Sequence, residues 1–299
     1  MNNLEEFYVV YTSILMGIIQ GATEFLPVSS SGHLALFKII FNVNTETGLL
    51  FDTMLHLGTL VAVCIVYWKD VRNLIVAAFQ LLFDIIANFK TWISNKKNGE
   101  YTAYRRLINS AYKKFVVLIL VTTIPTGIMG VAFSSLIERA SQTLLVPGIC
   151  LVITAILLLI SDTRPSGHKK VKKTTYANAA VIGVAQGFAT FPGLSRSGTT
   201  ITACLMLGFD RAYAVKYSFL ASLPAILGAN ILELRHFDAA AVAGSSIAYY
   251  FIGMIVAGVV GYICIKLMIY IVRSNKFQYF AYYCAVVGII AIIAYFVKG

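Results

Sequence analysis

The chain has 299 residues, of which 59% are hydrophobic and only 12% charged, against about 25% charged in a soluble domain. So few charges cannot cover a water-facing surface, which excludes a soluble globular enzyme and makes lipid the solvent for most of the exterior. The net charge of +11 could suit nucleic acid, but the basic residues cluster in short loops between apolar runs, a placement that fits anionic lipid head groups.

In chain order, Glu5 and Glu6 stand where a signal peptide would be basic, so no cleavable leader is expected. Residues 8–45 are apolar but broken by Pro, Gly and Ser, and 50–68 reads as a spanning helix. In 71–88 the polar residues Arg72, Asn73, Gln80, Asp84 and Asn88 fall largely on one face, as expected of a helix lying in the interface. A basic loop, 89–114, precedes spans at 115–138 and 143–161. A second basic loop, 162–176, leads into 177–210, again apolar and broken by Pro, Gly and Ser, and then into spans at 213–233, 246–273 and 279–297. Irregular backbone survives at membrane depth only when protein buries it or it lines a watery cavity. The expected fold is an all-α polytopic membrane protein, one membrane domain over 1–299, with about six spanning helices and two re-entrant helix–loop–helix hairpins.

The two broken regions are copies of one another. Gly17, Gln20, Gly21, Phe25, Ser29, Ser31 and Gly32 recur 166 residues later as Gly183, Gln186, Gly187, Phe191, Ser195, Ser197 and Gly198. So many matches in one register indicate a duplication, with repeat 1 over about 8–161 (insertion 69–114) and repeat 2 over about 177–297. If 71–88 does not span, three crossings separate the copies and they form an inverted-topology repeat, as in transporters with broken helices at the midplane. The basic loops then share one side, the cytoplasmic one.

The chemistry concentrates in the hairpins. Gln20 and Glu24 share a helical face, and an acidic residue within the membrane costs about 3 kcal/mol. Pro27 ends that helix, and Ser29, Ser30, Ser31 and Gly32 suit a turn whose N–H groups face an anion. His33 follows as a base, acid or nucleophile. In the second copy Arg196 takes the place of Ser30, between Ser195 and Ser197, with Gly198 and Thr200 beyond. Its planar fork of donors matches phosphate oxygens; the bland alternative is an arginine that merely pairs with Glu24. Tip-to-tip hairpins would bring Ser30 and Arg196 together, flanked by Glu24 and His33. Asp52 and His56, one turn apart, are weaker candidates, and His168 and His236 fall in loops. Cys64, Cys150, Cys204, Cys264 and Cys284 stand singly in apolar runs, as small buried hydrophobes do.

At these residues the sequence resembles the undecaprenyl-diphosphate phosphatases of bacteria, the bacitracin-resistance family. The resemblance rests on the stretch from Gln20 to His33 and on Pro192-Gly193-Leu194-Ser195-Arg196-Ser197-Gly198. It implies an enzyme of the cell membrane that removes the terminal phosphate of undecaprenyl diphosphate with the help of a divalent cation, Mg²⁺ or Ca²⁺. On that basis Arg196 and the Ser/Gly turns (Ser29, Ser31, Gly32, Ser195, Ser197, Gly198, Thr200) bind the diphosphate. Glu24 with Gln20 holds the cation, and Ser30 or His33 attacks while the other serves as base or acid. The expected partners are the polyprenyl diphosphate and membrane lipid, with a second copy of the chain as a candidate, no nucleic acid, and a site facing outward. A lipid-phosphate transporter or flippase with the same anion site is the rival reading, one that would release no free phosphate.

Overall fold

A computed structural model describes residues 3–41, 48–99, 101–234, 244–273 and 276–298. Within them lie twelve α-helices: α1 (Asn3–Phe25), α2 (Ser30–Phe41), α3 (Gly48–Val66), α4 (Trp68–Asn98), α5 (Ala111–Ala132), α6 (Ser134–Ser141), α7 (Leu145–Thr163), α8 (Tyr176–Phe188), α9 (Arg196–Met206), α10 (Arg211–Leu234), α11 (Gly244–Arg273) and α12 (Gln278–Lys298). Six of these, α4, α5, α7, α10, α11 and α12, are long and apolar enough to cross a membrane, which makes the protein an all-α polytopic membrane protein.

Both broken regions form a helix, a tight turn and a second helix. Pro27 stops α1, because it has no N–H to continue the ladder, and Ser29 turns the chain with φ +71°. In the second copy Gly193 takes the left-handed conformation with φ +92°, where no Cβ resists it. A capping box between Thr175 and Asn178 opens α8. At 13 and 11 residues, α8 and α9 reach about 20 and 16 Å, well short of a ~30 Å hydrocarbon core. The first hairpin is lopsided, with arms of 23 and 12 residues.

Two expectations need correction. The span expected at 115–138 is two helices, because Phe133 leaves helical geometry and the short polar α6 follows it. Residues 71–88 belong to a single 31-residue helix, α4, whose exposed surface is not a polar stripe. Ile75, Phe79, Leu82, Phe83 and Ile86 are exposed there alongside Arg72, Asn73 and Gln80. Asp84 instead pairs with Lys113 and Arg105, and Asn88 bonds the backbone of Arg105. The polar residues follow tertiary partners rather than a water boundary.

The duplicated glycines show what the hairpins pack against. A Cβ on Gly17 or Gly21 would collide with the backbone of α11 near Gly253 and Ala257. The same atom on Gly183 or Gly187 would meet Thr122 or Met129 of α5. Each first arm therefore lies close against a long apolar helix, as small residues permit between membrane helices. The second contact is locked by polar bonds: Thr122 and Thr126 donate to the carbonyls of Ala179 and Gly183 at 3.0 and 2.9 Å. The five cysteines are free, four of them buried and Cys64 half-buried. His168 is exposed, and His236 lies outside the described residues.

Candidate active site

Ser30 and Arg196 are the first residues of α2 and α9, so the N-termini of two helices and their unpaired N–H groups open toward one place, a setting that favours negative charge. The turns preceding them carry the same hydrogen bonds. Ser29 Oγ accepts from Gly32 N at 3.3 Å and lies 3.4 Å from Ser31 Oγ. Ser195 Oγ accepts from Gly198 N at 3.1 Å and lies 3.3 Å from Ser197 Oγ. The tips touch, since a Cβ on Gly32 would sit 2.6 Å from Gly193 Cα. Gly32→Ala should therefore push the hairpins apart and destabilise the protein by about 1–3 kcal/mol. Thermal unfolding in detergent measures this, with Gly127→Ala, which meets nothing within 4 Å, as the unperturbed control.

Glu24 stands at the junction. One carboxylate oxygen accepts from the Arg196 guanidinium; the other accepts from Ser30 Oγ at 2.5 Å and from Gln20 Nε2 at 3.1 Å. The carboxylate is buried, and charge-assisted donors on both oxygens are what make that tolerable. Gln20 Nε2 also donates to His56 Nδ1 at 3.0 Å, which draws His56 into the cluster. Asp52 instead pairs with Lys38. Thr190 occupies the second-copy position of Glu24, so each copy supplies one of the two charges.

His33 is placed differently from the sequence expectation. Its Nδ1 lies 2.7 Å from the Ser29 carbonyl, which can only accept, so Nδ1 carries the proton. In the neutral ring Nε2 then accepts from Tyr283 OH at 2.8 Å, and the two rings stack with centroids 5.5 Å apart. The proton of Ser30 points to Glu24, and both ring nitrogens of His33 are engaged elsewhere. Of the residues expected to hold phosphate, Ser29, Gly32, Ser195, Ser197, Gly198 and Thr200 are buried. Ser29 and Ser195 spend their hydroxyls closing turns, and Thr200 bonds Ser218 Oγ at 2.6 Å. Ser30, Ser31, His33 and Arg196 keep exposed surface.

The family model for bacitracin resistance protein BacA matches residues 13–290. The chain belongs to the BacA family. Similar relatives named undecaprenyl-diphosphatase occur in Methanosphaera stadtmanae (40% identical, covering 95% of this chain and 97% of that one), Halothermothrix orenii (40%, 95% and 97%) and Desulforapulum autotrophicum (37%, 96% and 99%).

In this BacA-family chain the donor set can be tested against a divalent cation. No group of three or more His, Cys, Asp or Glu that could hold a metal occurs among the described residues. Gln20 Oε1, however, is buried without a hydrogen-bond partner, one turn from the Glu24 carboxylate. Two hard oxygens fit Mg²⁺ held by one carboxylate, water and substrate phosphate better than a Ca²⁺ cage of six to eight oxygens. Two residues escaped the sequence reading in whole or part. Tyr283 comes from α12 and carries no motif, and His56, on an otherwise apolar face, ranks in the sequence only as a weaker candidate.

Proposed function

We infer that this BacA-family chain is an undecaprenyl-diphosphatase, a membrane hydrolase that converts the polyprenyl diphosphate to its monophosphate and inorganic phosphate. The observation that carries the reading is Glu24 held between an arginine and a serine hydroxyl. Phosphoryl transfer calls for that trio: a cation for the equatorial oxygens, a nucleophile, and a carboxylate to take its proton.

Arg196 and the two helix N-termini bind the diphosphate. The guanidinium now paired with Glu24 turns to phosphate oxygens when substrate arrives. One Glu24 oxygen is then free of the guanidinium while the other still accepts from Ser30 Oγ. Ser30 Oγ then attacks the terminal phosphorus as its proton passes to Glu24. The bond to the bridging oxygen breaks and the lipid monophosphate leaves with the proton that Glu24 took from Ser30. Glu24, a carboxylate again, takes a proton from water as the water attacks the phosphoserine, and returns that proton to Ser30 Oγ as phosphate is released. Gln20 and Glu24 would hold the divalent cation, which supplies charge neutralisation at the phosphate oxygens. His56 steadies the Gln20 amide, and His33 with Tyr283 forms one rim of the entrance.

The hairpins are two halves of a duplicated unit, and the first arm of each rests on a long helix from the opposite half of the chain. The repeat is inverted, with the basic loops cytoplasmic and the site open to the outer side, if α4 lies along the interface, and parallel if α4 crosses with the other candidate spans. A single cysteine in place of Lys170, with Cys64 changed to Ser, should resist an impermeant maleimide in intact cells and react after lysis. Labelling in intact cells would reverse the orientation. The activity itself is tested by phosphate release from undecaprenyl diphosphate with detergent-purified, lipid-free protein. Release should fall on chelation and return with Mg²⁺; no release would favour a transporter, and release indifferent to chelator would remove the cation.

A further inference from the structure

A second cluster of cations lies outside the two hairpins. The segment before α5 and the short turn before α8 enclose a groove of about 740 Å³. Arg106, Lys114, Lys172 and Lys173 line it, and no carboxylate does. The nearby acidic residues are committed elsewhere, Asp84 to Lys113 and Arg105, and Asp70 to Lys216. None of the four lining cations forms an ion pair among the described residues, so none of the described carboxylates neutralises the positive charge of the groove.

The walls are built rather than loose. Asn88 bonds the backbone N–H and C=O of Arg105 at 2.7 and 2.8 Å, and Asn95 does the same for Thr102 at 2.9 Å each. These two clamps pin the irregular segment carrying Arg106 along α4. On the opposite wall Lys114 Nζ donates to the Lys172 carbonyl at 2.6 Å, tying the start of α5 to the turn before α8. Leu107 and Tyr176 add apolar surface to the lining. Because α5 is a membrane-crossing candidate from Ala111 onward, the groove stands at the end of a span, the level where lipid phosphates lie.

We propose that this groove binds the phosphate head group of an anionic phospholipid, with Arg106, Lys114, Lys172 and Lys173 as its donors and Leu107 and Tyr176 against the start of the lipid chains. The site is separate from the one that handles the diphosphate, and its occupant is held rather than converted.

Native mass spectrometry of the detergent-purified protein tests it, by titration with phosphatidylglycerol and, separately, phosphatidylcholine. Phosphatidylglycerol should bind more tightly. The triple variant Arg106→Gln, Lys172→Gln, Lys173→Gln should raise its Kd about 100-fold, at roughly a factor of five for each surface charge removed, while phosphate release from soluble farnesyl diphosphate stays within about twofold of the wild type (estimate for residues remote from the chemistry). All three side chains are exposed, and an unchanged unfolding temperature confirms an intact fold. Equal binding of the two lipids, or an unchanged Kd in the triple variant, would overturn the proposal. So would inorganic phosphate displacing phosphatidylglycerol at equal concentration, since that would make the groove a site for the free ion. Loss of farnesyl diphosphate hydrolysis in the wild type would count against the enzyme reading instead, and leave the lipid result standing.

Discussion

Arg196→Ala should cut phosphate release at least ~100-fold, as removal of one transition-state charge donor does, and should lower the unfolding temperature as well. Both effects trace to one contact. Glu24 is 5% exposed, and without the guanidinium it becomes a buried carboxylate with no counter-charge, a loss of about 3–5 kcal/mol. Glu24→Gln in the same background should restore most of the stability, because a neutral amide needs no cation. It should restore no turnover, because base and phosphate clamp are then both missing. Thermal unfolding and single-turnover phosphate release, measured on the same samples, separate the two roles. A variant that is destabilised but still turns over would reduce Arg196 to a structural partner of Glu24.

Ser30→Ala carries the second large effect, a loss of at least ~10³-fold, in line with removal of an attacking hydroxyl, with diphosphate binding kept. His33→Gln should lose no more than ~10-fold, the modest effect of a group that orients rather than attacks. The difference follows from proton positions. Ser30 already donates to Glu24 at 2.5 Å, whereas His33 is held by the Ser29 carbonyl and Tyr283. Rapid quench should trap an acid-stable phosphoserine at position 30. An acid-labile phosphohistidine at position 33, together with a Ser30→Ala enzyme that still turns over, would transfer the attack to His33.

Most of the fold was legible because lipid permits few backbone solutions and apolar run length reveals them. The hairpins are visible as Pro, Gly and Ser in otherwise apolar stretches, and the duplication alone puts Ser30 and Arg196 in equivalent positions. Failures came where tertiary contacts decide. Asp84 and Asn88 read as one edge of a polar stripe, yet Asp84 pairs with Lys113 and Arg105 and Asn88 bonds the backbone of Arg105, partners that no local pattern reveals. The seryl hydroxyls of the turns all looked free to meet phosphate, but Ser29 and Ser195 are consumed as caps. Tyr283 reaches His33 from the far end of the chain, a distance over which spacing carries no information.

The glycine contacts of α1 also bear on how the protein is made. Gly17 and Gly21 rest on α11, near Gly253 and Ala257, so α1 docks against a helix synthesised long after it. Its equivalent, α8, finds α5 already synthesised. During translation α1 must therefore wait in the bilayer or its insertion machinery with Gln20 and Glu24 unsheltered, while α2 to α10 follow. A nascent chain arrested before residue 253 would hold a finished second hairpin and an orphaned first one, and quality-control proteases that sense unpaired polar groups in membrane helices would find Glu24 exposed.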